Sequence, residues 1–194
     1  MIRREVCYFE DFGEQNTEQT IEAAKKAASN LDVKYVVVAT ASGATGVKAA
    51  EAFKGTGMKV VVVTEYAGMA EFKDENRRKL EELGAAVITS THSFLTPAES
   101  ISKLHTGYCS ENTIIKDVLR RFSQGVKVAA EIVMMATDAG AIPISEEVIS
   151  IAGTGKGADT AVALKSCHSD DFLHKERGME FREIIAMPRK KKFW

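Results

Sequence analysis

Short runs of apolar residues recur along the chain, separated by segments with a different rhythm. Tyr35–Ala39 (YVVVA), Val60–Val63 (VVVV) and Ala86–Ile88 with Thr89 are continuous and β-branched. Runs of this kind, without polar alternation, predict strands buried on both faces. Between them the pattern turns helical. Residues 16–30 (NTEQTIEAAKKAASN) place Asn16 as an N-cap, with Gln19 three positions on in a capping-box arrangement. Gly43–Lys54 is small and Ala-rich, and Phe72–Leu83 ends at Gly84, which suits a helix C-cap. Strand, helix, strand, helix, strand predicts right-handed βαβ units and a parallel sheet.

The middle of the chain is more helical. Asn112 is placed to cap a helix through Ile114–Phe122. Val126–Thr137 (VKVAAEIVMMAT) is apolar on most sides and predicts a buried helix, with Met134 and Met135 as core filling. Ala139–Pro143 breaks that helix, and Val148–Ala152 (VISIA) predicts the fourth core strand. A glycine-rich loop, Gly153–Gly157, follows, then Thr160–Ser166 (TAVALKS), which is short for a helix. Phe181–Met187 predicts a final edge strand. No repeat, linker or low-complexity tract divides the 194 residues, so one domain over 1–194 is expected.

Charge narrows the function. The 26 Lys plus Arg and 27 Asp plus Glu give a net charge of −1, with 45 % apolar residues. That balance suits a globular protein and argues against partners needing a broad positive field, so neither nucleic acid nor membrane is expected. The basic tail Arg189–Lys192, followed by Phe193 and Trp194, reads as a solvated end. The N-terminal MIRREVCYFEDF has no signal-peptide pattern, and no run approaches the roughly 18 apolar residues of a spanning helix. Cys7, Cys109 and Cys167 are odd in number and unpaired by spacing, which points to a reducing compartment. His105 with Cys109 is too small a ligand set for a metal site, so none is expected. A cytoplasmic location follows from these readings.

In an open parallel sheet, ligands bind beyond the carboxyl ends of the strands. There the first Val-rich run leads into Thr40-Ala41-Ser42-Gly43-Ala44-Thr45-Gly46 and a helix start. Hydroxyls and glycines at a helix N-terminus suit an anion, because free N–H groups and the helix dipole both favour negative charge. A capped helix start with no ligand is the plain alternative, but one capping residue would satisfy it. Thr40 and Ala44 stand where a Ser42 nucleophile elbow would need glycines. A second candidate is Gly153-Thr154-Gly155-Lys156-Gly157, followed by Ala158 and Asp159. It matches neither the Walker A nor the dinucleotide pattern. Lys156 is placed to approach a phosphate and Asp159 to accept from ligand hydroxyls; a simple glycine turn is the competing reading. Thr64, Glu65, Tyr66 and Gly68 follow one strand, and Ser90, Thr91 and His92 the next, as further pocket lining.

The block Ile21–Thr64, with YVVVATASGATG, an Ala-rich helix and VVVVT, resembles the C-terminal α/β domain of pyruvate kinase, and so does Val126–Ser166. The resemblance covers most of residues 16–167. It implies a three-layer α/β/α sandwich with a mostly parallel sheet, and it makes Thr160–Ser166 an antiparallel edge strand. No room exists for a catalytic barrel, so kinase activity is not carried over. In that family the domain is regulatory, and many members bind a sugar bisphosphate through these two loops. Carried across, the phosphate loop is Thr40, Ser42, Gly43, Ala44 and Thr45, and the second loop is Gly153, Thr154, Gly155, Lys156 and Gly157. The chain is also similar to small stand-alone proteins of this domain, common in archaea, some of which are associated with flavin mononucleotide (FMN). The resemblance thus implies a small phosphorylated ligand, FMN first and a sugar phosphate second, with Thr64 and His92 lining the pocket. A homo-oligomer is compatible with this reading.

Overall fold

The runs Tyr35–Ala39 and Val60–Val63 lie in strands whose successive valines face opposite cores. The computed structural model describes residues 1–194 except Ala70, Thr96, Gly107, Tyr108 and Trp194, so the last aromatic of the tail lies outside the described residues. Among the described residues the strands are β1 (Cys7–Phe9), β2 (Tyr35–Ala39), β3 (Lys59–Thr64), β4 (Ala86–Thr89), β5 (Glu147–Ala152), β6 (Thr160–Lys165) and β7 (Glu180–Pro188). They form one sheet in the order β1-β7-β6-β5-β2-β3-β4. β2 pairs in parallel with β3 and with β5, and β3 pairs in parallel with β4. β6 runs antiparallel to β5 and to β7, while β1 lies parallel to β7. The reversed strand therefore sits on the side away from β4, and β7 and β1 continue the sheet beyond it.

The helices are α1 (Thr17–Leu31), α2 (Ala44–Phe53), α3 (Asp74–Glu82), α4 (Pro97–Ile101), α5 (Glu111–Phe122) and α6 (Gln124–Asp138). Ile21, Ala24, Val47, Phe53 and Leu80 from α1 to α3 pack on one face with Val36, Val38, Val60 and Val62. On the other face α6 packs Val126, Ile132 and Val133 against Val37, Val61, Val63 and Val148. The period of two in the strands thus feeds two separate cores, one on each side of the sheet. Burial of Phe53 or Leu80 contributes about 2 kcal/mol each by area. Alanines at 24, 28, 49 and 50 let the helices approach the sheet closely.

Helix ends differ in detail from the sequence expectation. Asn16 makes no side-chain cap; its Nδ2 donates to Asp11 O, because a tight turn over Glu14–Asn16 precedes α1. Ser110, two residues before Asn112, caps α5 by accepting from Thr113 N, which leaves Asn112 inside the first turn. Gly84 behaves as expected: at φ +74° its N–H meets Glu81 O while Ala85 N–H meets Leu80 O, closing α3. Among the described residues no helix is long and apolar enough to cross a membrane.

Candidate functional site

The strand order reverses between β2 and β5. From β2 the chain moves outward through β3 to β4, then returns on the far side to β5. Diverging connections at such a point leave a crevice beyond the strand ends. The crevice is a cleft of about 780 Å³, lined from β2, β3, α2, α6 and the loop after β5.

The β2–α2 connection shapes one wall. Thr40 Oγ1 accepts from Gly43 N at 3.0 Å, folding the loop back on itself, and Gly43 turns at φ +93° to start α2. A Cβ at Gly43 would lie 2.6 Å from Asn76 Cβ, so glycine is required twice over, by conformation and by contact. Asn76 Nδ2 and Lys73 N both donate to Ser42 O, tying the loop to α3. The first intrahelical bond runs from Val47 N to Gly43 O, so Ala44, Thr45 and Gly46 present N–H groups without intrahelical acceptors. Ser42, Ala44 and Thr45 line the cleft around those donors.

The β5–β6 loop forms the opposite lip. Asp159 is fully buried beneath it and accepts from Gly13 N at 3.0 Å, Thr154 N at 3.2 Å and Thr160 Oγ1 at 2.8 Å. With both oxygens engaged by the protein's own donors, Asp159 fastens the loop from behind and is not among the residues that line the cleft, where the sequence had suggested a group facing ligand hydroxyls. Thr17 Oγ1 accepts from Ala158 N, and a Cβ at Gly157 would come within 2.4 Å of that hydroxyl. The loop is thus stitched to the start of α1, with Gly153, Gly155, Lys156 and Gly157 facing the cleft.

The third wall is charged and buried. Glu131 of α6 is fully buried, yet its Oε2 accepts from Lys127 Nζ one turn earlier and from His92 Nδ1 at 3.2 Å. Burial works against ionisation of Glu131, but the hydrogen bond from His92 and the Lys127 ammonium outweigh it and hold the carboxyl below its ordinary range. For Lys127 burial dominates and lowers its affinity for the proton, and Glu131 offsets only part of that. Glu65 Oε1 lies 3.7 Å from His92 Nε2, beyond hydrogen-bond reach.

The chain matches the family described as "Pyruvate kinase, alpha/beta domain" over residues 18–164. It belongs to that family. Among solved structures, a pyruvate kinase from Cryptosporidium parvum is similar at 15 % identity and a TM-score of 0.40. That match covers 77 % of this chain and 22 % of the other.

In this pyruvate kinase α/β-domain protein, Thr40, Ser42, Ala44, Thr45, Thr64, His92, Gly153, Gly155, Lys156 and Gly157 line one cleft. Gly43 and Thr154 stand behind it: Gly43 N is taken by Thr40, and Thr154 is buried with its N–H on Asp159. Glu65 joins the lining, whereas Tyr66, Gly68, Ser90 and Thr91 do not. The sequence reading missed Lys127 and Glu131. Their signal was available as two opposite charges four residues apart in a stretch, Val126–Ala136, that is otherwise apolar.

Proposed function

We propose that this domain binds a phosphorylated small molecule in the cleft, with FMN the leading ligand. The carrying observation is that the N-terminus of α2 and the β5–β6 loop converge on one cleft at the strand-order reversal. Its 780 Å³ falls within the span of about 300–1,000 Å³ usual for small-molecule sites. The N–H groups of Ala44 and Thr45 with the hydroxyls of Ser42 and Thr45 would hold the phosphate. Gly43 contributes its turn and not its N–H. Lys156 lies on the opposite lip, and Lys48 at the rim is already paired with Glu18 at 3.3 Å. Phosphate recognition would therefore rest mainly on backbone dipoles and hydroxyls.

The residues present suit FMN: a helix start for its phosphate, apolar Val63, Val128, Ile132 and Met135, and buried polar atoms for ring or ribityl groups. When bound, the flavin supplies electron-transfer chemistry, while this chain orients it and excludes water. The second reading, a regulatory module for a sugar phosphate acting through a partner, draws on the association of this family with effector or ligand binding in pyruvate kinase.

A visible spectrum of purified protein, followed by FMN titration monitored by flavin fluorescence, separates the readings. FMN binding gives flavin bands at roughly 370 and 450 nm that leave with the fold, and a higher Tm on adding the ligand. Protein that is colourless, and whose Tm FMN leaves unchanged, overturns FMN; a rise with a sugar bisphosphate alone selects the regulatory module. Ser42→Asp sets a carboxylate against the phosphate and should weaken either ligand by about 100-fold, since close like charges repel by several kcal/mol. Unchanged affinity would remove the phosphate from this loop.

A further inference from the structure

Among the described residues three buried side-chain polar atoms lack a hydrogen-bond partner: His92 Nε2, Glu131 Oε1 and Glu99 Oε2. Two of the three belong to residues lining the same cleft. Unpartnered buried polar atoms are rare in native proteins because each forfeits its hydration, and their presence asks for a partner.

The hydrogen-bond chemistry says which kind. Glu131 Oε2 already receives Lys127 Nζ and His92 Nδ1. An ionised carboxylate only accepts, so the proton between His92 and Glu131 sits on Nδ1. In the neutral ring Nε2 is then a bare acceptor, fixed in direction by the bond behind it. Glu131 Oε1 is an acceptor as well, and the carboxylate of Glu65 stands 3.7 Å from His92 Nε2. With the ring neutral, three acceptors gather on one wall, and among the described residues the donors that reach Glu131, Lys127 Nζ and His92 Nδ1, are both spent on Oε2. Glu65, with its side chain about a third exposed, is the one free to swing aside.

We infer that Glu131 Oε1 and His92 Nε2 form a paired acceptor that reads O–H or N–H donors on the non-phosphate part of the ligand. The inference rests on the phosphate reading of the cleft and adds to it the second point of recognition. Lys127 is a positioning residue: it keeps Glu131 ionised and turned so that Oε1 remains open. The ligand class is a phosphate monoester rich in donors, either the ribityl hydroxyls and ring imide of FMN or the hydroxyls of a sugar phosphate.

The test compares ligands before it compares proteins. Wild-type affinities are measured for FMN, for an FMN analogue with the ribityl hydroxyls removed, for N3-methyl FMN, for fructose 1,6-bisphosphate and for ethyl phosphate, which has no donor beyond its phosphate. Loss of the relevant donors should weaken binding roughly tenfold or more, because a site built to accept a hydrogen bond is left unpaired. Which FMN analogue loses affinity distinguishes hydroxyl from imide; a preference for the sugar ester over FMN assigns the donors to a sugar. Glu131→Gln turns an amide N–H₂ toward the ligand and should weaken the donor-rich ligand by a similar factor, with ethyl phosphate changed by less than about twofold. If ethyl phosphate and the donor-rich esters bind wild-type protein equally, the paired acceptor is wrong and the phosphate reading stands. If no phosphate monoester binds, both fall. The wild-type comparison holds even if Glu131→Gln does not fold.

Discussion

Asp159 accepts from Gly13 N, Thr154 N and Thr160 Oγ1, donors supplied by three stretches of the chain itself. Asp159→Ala strands buried donors from three segments, so we expect a loss of about 3 kcal/mol in urea unfolding, at about 1 kcal/mol or more per stranded group. Gly43→Ala forces a side chain into φ +93° and against Asn76; a loss of about 1–3 kcal/mol is expected in the same measurement. The identity of these residues was legible in the sequence, but their orientation was not. A carboxylate after a glycine loop looks the same on paper whether it faces a ligand or the loop's own backbone. Only the approach of Gly13, far away in the chain, decides it for Asp159. Likewise Thr40 spends an acceptor on Gly43, a local bond that residue type alone does not reveal.

At the level of elements, α6 carries both the core of one face and the charged wall of the cleft. Its apolar character on most sides announced burial correctly, and all of Gly125–Thr137 except Val128 is buried. The same apolarity hid Lys127 and Glu131 as chemistry. Removing one member of a buried ion pair leaves the other uncompensated; Lys127→Met should lower stability by about 3–5 kcal/mol, whereas Lys127→Met with Glu131→Leu should recover most of that loss. A double-mutant cycle by chemical denaturation reads the difference. Helix starts were the least legible part. Ser123 caps α6 by accepting from Val126 N and lies 3.0 Å from Thr160 Oγ1, joining the helix to β6. Ser123→Ala should therefore weaken the fold by about 1–2 kcal/mol. Ser110 outranks Asn112 for a similar reason: a cap is chosen by where the first turn closes, and several hydroxyl and amide residues stand within reach of each start.

For the whole molecule, the parallel order of β2, β3 and β4 could be anticipated from continuous valine runs separated by helices, since burial on both faces removes polar alternation. Strand β1 could not, because Cys7–Phe9 is short and exposed on most positions and pairs only at the margin with β7. Global stability should depend on acid in a defined direction. Glu131 has its pKa lowered from 4.5 by folding, so its contribution is complete above that value and fades as the pH falls through the lower, folded-state value. Lys127, lowered from 10.5, works in the same sense at high pH: stability increases as the pH rises through its folded-state value toward 10.5. Urea midpoints across both ranges check the two signs. Burial pushes the Cys167 thiol up to about 11, while Cys7 and Cys109 are exposed. A thiol reagent at neutral pH should react with Cys7 and Cys109 in the folded protein and reach Cys167 after denaturation.

The pairing of β2 with β5 joins Tyr35 to Val148, and the loop after β5 adds the last piece of the cleft. During synthesis, the first half of the site emerges early and waits for a partner that most of the remaining chain must precede. Until then β2 has one open edge, and β3 and β4 form only a fragment of sheet. Non-local closure of this kind slows folding. Nascent chains halted before Glu147 should hold no ligand, however complete their phosphate loop. A ligand that needs both walls of the cleft would therefore act as a late inspector, stabilising only chains whose two distant halves have already met.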